Sequence, residues 1–235
     1  MNRTTCNFRT TSIFQTTPIF RVLLILISFS IVAAAQDLKP VPLPTPQTSR
    51  GIPLMQALGL RKSTREFSAT KLSPQTLSNL LWAGFGINRP DGRRTAPSAL
   101  NWQEITIYVI TADGVYTYDA KANALDPVLA GDYRAATGTQ AYAKDAALDL
   151  IYVADTSKEG ANPPADADLY NGVDAGVIAE NVYLYCASEG LAVVVRASVD
   201  KPAVTKLFKL LPTQKIILAQ SVGYPKEVAP TTARP

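Results

Sequence analysis

The 235-residue chain is 47% apolar and 18% charged, enough to bury one ordinary core and too apolar for a disordered or fibrous protein. It has no histidine, which excludes histidine triads, histidine metal ligation and imidazole acid–base chemistry. The net charge of +4 includes Arg3, Arg9 and Arg21, which sit in an acid-free stretch of 35 residues. The rest of the chain sets 20 basic against 19 acidic side chains, a near-neutral balance that argues against a nucleic-acid partner.

Those three arginines precede the apolar run Val22 through Val32, which closes on Ala33-Ala34-Ala35 before Gln36-Asp37. A basic start, an apolar middle and small residues at the end read as a secretory signal over 1–35, with the mature protein beginning at Gln36. The run is shorter than the roughly 20 apolar residues that span a bilayer, so a cleaved leader is favoured over a retained membrane anchor. The expected location is periplasmic or extracellular, with contact to a membrane only through an uncleaved leader. Cys6 precedes the apolar run, so cleavage leaves Cys186 alone and no intramolecular disulfide.

Proline at 40, 42, 44 and 46 marks 36–50 as an extended spacer, with the folded domain expected over 51–225 and a tail over 226–235. Within the domain, Pro53 starts a short helix to Leu60. Ser73-Pro74 caps a second helix whose apolar face is Leu77, Leu80, Leu81 and Phe85. Alternating residues over 104–111 and 115–119 flank Ala112-Asp113-Gly114 and predict a hairpin. Asp126-Pro127 is expected to cap a short helix reaching Leu129. An apolar run over 147–154 reads as a buried strand. The longest helix starts at Asp168 or Val173 and stops at Gly190, with Gly176 and Ala179 permitting close approach of a neighbour. A strand over 192–197, a helix from Asp200-Lys201-Pro202 to Leu210 and a last strand over 215–223 complete an α+β domain, a sheet with helices packed on it.

No Walker loop, zinc-protease helix or nucleophile elbow is present, and Gly84-Phe85-Gly86 lacks the third glycine and the preceding strand of a dinucleotide fingerprint. Two polar segments stand out instead. Arg61-Lys62-Ser63-Thr64-Arg65 gathers three cations and two hydroxyls, donors suited to a phosphate and to oxygens of a planar ligand. Arg93-Arg94-Thr95-Ala96-Pro97-Ser98-Ala99-Leu100-Asn101-Trp102-Gln103 leads into a strand, and its small residues let backbone amides approach a ligand.

In this order and spacing the two segments resemble the nitroreductase superfamily of flavin mononucleotide (FMN) enzymes. There, an Arg-x-Ser-x-Arg stretch and a Pro-Ser-Ala/Ser-x-Asn stretch hold the flavin. The helix between them, Asp174-Ala175-Gly176 on a long helix ending Glu189-Gly190-Leu191, and Val222-Gly223-Tyr224-Pro225 agree. The likeness is strongest to the branch containing azoline-oxidising dehydrogenases.

The resemblance implies a mainly antiparallel sheet flanked by helices, FMN as cofactor, and an intertwined homodimer with flavin at the interface. Arg61, Lys62, Ser63 and Arg65 would meet the phosphate, ribityl or ring oxygens. Pro97, Ser98 and Ala99 would line the flavin and Asn101 would bond its ring edge. Backbone amides of Asp174, Ala175 and Gly176, at a helix N-terminus, would face the electron-rich ring edge. Arg234 is a weaker phosphate candidate. The chemistry would be flavin-borne, passing hydride or electrons from NAD(P)H or an extracytoplasmic reductant to a nitroaromatic, quinone or similar acceptor. Oxidation of azoline peptides and a non-catalytic flavin-binding module are the alternatives. Substrate preference would lie in the 156–169 insert, and Tyr133, Tyr142 and Tyr170 are candidates to stack on an aromatic substrate.

Overall fold

The computed structural model describes residues 38–226. The leader, Cys6 and Arg234 therefore lie outside the described residues. Seven strands form one antiparallel sheet in the order β1-β4-β3-β2-β5-β7-β6. They are β1 (Val41–Pro42), β2 (Ile105–Thr111), β3 (Gly114–Asp119), β4 (Ala124–Ala130), β5 (Leu148–Asp155), β6 (Ala192–Arg196) and β7 (Gln214–Gly223). Four helices accompany them: α1 (Leu54–Leu60), α2 (Pro74–Phe85), α3 (Ala167–Glu189) and α4 (Lys201–Phe208).

The alternation of strand residues divides the core into two layers. Ile105, Ile107 and Val109 of β2 with Leu148, Leu150 and Tyr152 of β5 pack against α2 and α3. Tyr108 and Ile110 of β2 with Ile151 and Val153 of β5 turn the other way, onto Val204 and Phe208 of α4. Because β5 lies between β2 and β7 and is covered on both faces, its sequence is a nearly unbroken apolar run.

Ser73 caps α2, its Oγ accepting the Thr76 N–H at 3.0 Å. Gly190 ends α3 in the left-handed conformation, φ 69°, which a glycine adopts without strain. The close approach of α2 to α3 falls at Gly84, where a Cβ would stand 3.1 Å from Val182 Cγ2; at Gly176 it would meet nothing within 4 Å.

Two expectations are corrected. Asp126 and Pro127 lie in β4, where Leu125 and Leu129 face Tyr118 and Val115 of β3. Proline is tolerated there because β1 reaches only Ala124 and Leu125, and a bulge interrupts the β3 pairing beside Pro127. The proline-rich segment also belongs to the folded body from Leu38 onward. Val41 pairs with Leu125, the Leu43 N–H donates to the Asn123 carbonyl at 3.0 Å, and Leu38 and Leu43 pack on the main core. Alternating prolines leave carbonyls free: Asn123 Nδ2 and Ser78 Oγ donate to the Pro44 carbonyl at 2.8 and 2.5 Å.

Candidate functional site

Residues 61–65 run from the end of α1 along β6. The Thr64 N–H donates to the Val193 carbonyl at 2.9 Å, pinning the segment to the edge strand. The Arg61 guanidinium lies 5.3 Å from the ring centre of Tyr183, and Ser63 Oγ shares a 2.8 Å hydrogen bond with the Tyr183 hydroxyl, which also accepts the Val195 N–H at 2.8 Å. Lys62 and Arg65 are exposed, and Lys62 lines a cavity of about 350 Å³ with Leu60, Thr64, Tyr183 and Val193. Among the described residues neither cation, nor Arg61, enters an ion pair, so their charge is available to an anion.

The second segment is an enforced loop. Leu100, Asn101 and Gln103 have φ of 49°, 56° and 50° on either side of a right-handed Trp102, left-handed positions that non-glycine residues keep only where the surroundings hold them. The restraints are visible. Asp174 Oδ2 accepts the Ala99 N–H at 2.8 Å, Ser98 Oγ accepts the Gln103 N–H at 2.9 Å, and Gln103 Nε2 donates to Asn101 Oδ1 at 3.1 Å. Arg94 braces the loop from beneath, its Nε donating to Gln103 Oε1 at 2.8 Å while its guanidinium sits 5.0 Å from the Phe85 ring centre. Burial lowers the Arg94 pKa, opposed by the nearby Tyr118 and Asp119. Arg89, Arg93 and Arg94 join Pro97, Ser98 and Asn101 around a cavity of about 230 Å³.

Asp174 is thus brought to the loop, though not in the expected manner. The helix begins at Ala167, so Asp174 lies two turns inside it, where its amide and those of Ala175 and Gly176 are bonded within the helix. Its carboxylate does the holding. Ala175 is buried in the core beneath. Asp166 and Pro164 carbonyls receive the first-turn amides and start the helix early.

Of the three tyrosines, Tyr170 meets the loop, edge-on to Trp102 at 6.2 Å. Tyr142 packs beside Phe67, and Tyr133 packs on the α4 layer. The 156–169 insert carries a buried residue, Glu159, whose Oε1 accepts from Asn171 Nδ2 at 2.8 Å. Arg94 and Gln103 were read only as members of the polar loop, without a bracing role, and Glu104 and Tyr183 were given no role at the site. The run Asn101-Trp102-Gln103-Glu104, polar and directly before a strand, was the signal for Gln103 and Glu104.

Unpaired cations with a hydroxyl in one segment, and a rigid amide-bearing loop with an asparagine in the other, make a donor set that fits FMN, an anionic phosphate joined to a planar polar ring. The fold and these two segments define the class: an α+β protein whose donors suit an anionic phosphate joined to a planar polar ring. The family model for the nitroreductase family matches residues 58–224, and the chain belongs to that family. A solved structure of a candidate nitroreductase from Ralstonia eutropha superposes with a TM-score of 0.77 at 39% identity, covering 81% of this chain and 91% of that one. A candidate nitroreductase of Methanocaldococcus jannaschii is 29% identical over 153 residues, 61% of this chain and 77% of that protein. A candidate nitroreductase from Desulfovibrio desulfuricans, solved in complex with FMN, shares the fold with a TM-score of 0.55 at 22% identity, covering 79% and 94%. Family membership supports a general flavin oxidoreductase.

Proposed function

We propose that the protein is an FMN-dependent oxidoreductase that passes electrons from NAD(P)H or an extracytoplasmic reductant to a nitroaromatic, quinone or similar acceptor. Bound FMN would supply two-electron redox chemistry that the side chains around the site do not offer. Arg61, Lys62 and Arg65 would hold the phosphate by charge-assisted hydrogen bonds, with the Ser63 hydroxyl beside them. Pro97, Ser98 and Ala99 would line the ring, and the Asn101 amide would bond its edge. Asp174 would act through the Ala99 amide it fixes.

The observation that carries this reading is the placement of the two segments on α3. One is anchored at Asp174 and the other at Tyr183. Nine residues at about 100° each put these anchors on opposite sides of the helix, roughly 13 Å apart along its axis. A flavin touching both segments of one chain would have to cross the helix. A two-fold pair of chains offers residues 61–65 of one protomer to residues 97–101 of its partner. Exposed Met55 (77%), Leu100 (75%), Leu169 (63%) and Leu54 (62%) give such a pair apolar surface to bury.

Mixing two defective chains tests this. Arg61→Ala with Arg65→Ala should remove flavin from otherwise folded protein, and Asn101→Ala should slow turnover. Refolded together, they should regain about a quarter of normal turnover, since half of the sites in each mixed pair are intact. No recovery would mean that each site lies within one chain. We also read the protein as exported: material recovered from its host should begin at Gln36, and an intact Met1 would overturn that.

A further inference from the structure

Glu104 follows the loop and immediately precedes β2, yet it is 0% exposed, and neither carboxyl oxygen has a hydrogen-bond donor among the described residues. The group beside it is a second acid, Asp174, which already accepts the Ala99 N–H. Two ionised carboxylates are acceptors only and cannot bond each other. Enclosed in this way, the pair is satisfied when one member carries a proton and donates it to the other.

The remaining charged groups around Glu104 reinforce this. Glu159, 6% exposed, adds a further negative charge from the turn before α3. Asp155 donates its backbone N–H to the Glu104 carbonyl at 3.1 Å, and its carboxylate accepts from Ser157. Lys158 directs its ammonium to the Gln103 carbonyl at 3.2 Å. Burial pushes the Glu104 carboxyl up to about 7, with the charges of Asp174 and Glu159 adding to the rise and its own backbone N–H opposing it.

We propose that Glu104 is a positioning residue whose protonated carboxyl donates to Asp174, so that one shared proton keeps Asp174 fixed under Ala99 and holds the left-handed loop in the form presented to flavin. This deepens the FMN reading above and rests on residues 97–101 being the flavin loop. When the proton leaves to solvent, two adjacent anions are enclosed without a cation. Glu104 reaches water only if the loop lifts. The folded acid holds its proton more tightly than an unfolded glutamate, so the latch is complete below the unfolded value near 4.5 and is lost as pH rises through about 7.

The test compares wild type, Glu104→Gln and Glu104→Ala at about pH 6 and about pH 8.5. Two quantities are read: the FMN dissociation constant, and the protection of the Ala99 amide against hydrogen exchange in flavin-free protein. In wild type the constant should rise roughly tenfold or more with pH, and Ala99 protection should fall by a similar factor, as loss of one proton allows. Glutamine keeps a donor toward Asp174 at every pH, so Glu104→Gln should be flat in both. Alanine should be weak at both pH values, provided its melting shows a folded protein. A pH profile shared by wild type and Glu104→Gln, or unchanged Ala99 protection, would overturn the latch while leaving flavin binding standing. Failure to bind FMN at either pH, with Ala99 protection still falling, would overturn the flavin reading and support the carboxyl pair.

Discussion

Asp149 and Arg196 meet inside the protein at 2.6 Å, with side chains 0% and 3% exposed. Ser221 donates to the same Asp149 oxygen at 2.5 Å, and Arg196 Nη2 also reaches Thr137 Oγ1 at 2.7 Å. The network ties β5, β6 and β7 at the level of their side chains. Removing the acid alone would strand a buried guanidinium. Asp149→Ala should therefore cost about 3–5 kcal/mol in urea unfolding. A loss below about 1 kcal/mol would show that the pair is dispensable.

Such residues mark where sequence reading stops. Residues 61–65 and 97–101 were legible as donor-rich segments because their residue types carry the chemistry. Glu104 was not, because a glutamate before a strand ordinarily faces water, and the acid it meets, Asp174, lies 70 positions away. The contribution of Asp174 was assigned to its amides because a start of α3 as late as Val173 was allowed; the helix starts at Ala167, and it is the Asp174 carboxylate that meets the Ala99 N–H.

At the scale of elements, α2 was readable to its cap because Ser73 and Pro74 are local signals, and β2, β3 and β5 were readable from alternation or an unbroken apolar run. The Asp126-Pro127 segment was misread because the dipeptide suits both a helix start and an edge strand. Pairing with β3, the arm just before it in the chain, selects the strand. The proline-rich strap failed for a similar reason: composition reports extension, while docking depends on Asn123 and Ser78.

Asn123 holds φ 48° and donates from its amide to the Leu43 and Pro44 carbonyls. Asn123→Gly should keep the turn and lose the strap bonds, and Asn123→Ala should add about 1 kcal/mol of left-handed strain to that loss. Both should raise proteolysis within residues 38–50. Unchanged cleavage there would mean that backbone pairing, Ser78 and the packing of Leu38 and Leu43 hold the strap without the Asn123 side chain.

At the scale of the molecule, the sheet carries α2 and α3 on one face and α4 on the other, and α3 serves as the common support for both donor segments. On the proposed function a chain without histidine is suited to redox work because the protein would provide charge, amides and a braced loop, and the bound cofactor would provide the reaction. In the proposed pair of chains, the exposed apolar residues of α1, the loop and early α3 would be the surface that is buried.

The most direct test is the visible spectrum of the purified protein after FMN addition and removal of free flavin, recorded before and after anaerobic NADH or NADPH and, if these fail, a quinol or thiol. The account predicts a yellow protein whose bound flavin is bleached by one of these donors and recovers its colour with a quinone or nitroaromatic. A folded but colourless protein, or bound flavin that no donor reduces, would contradict it.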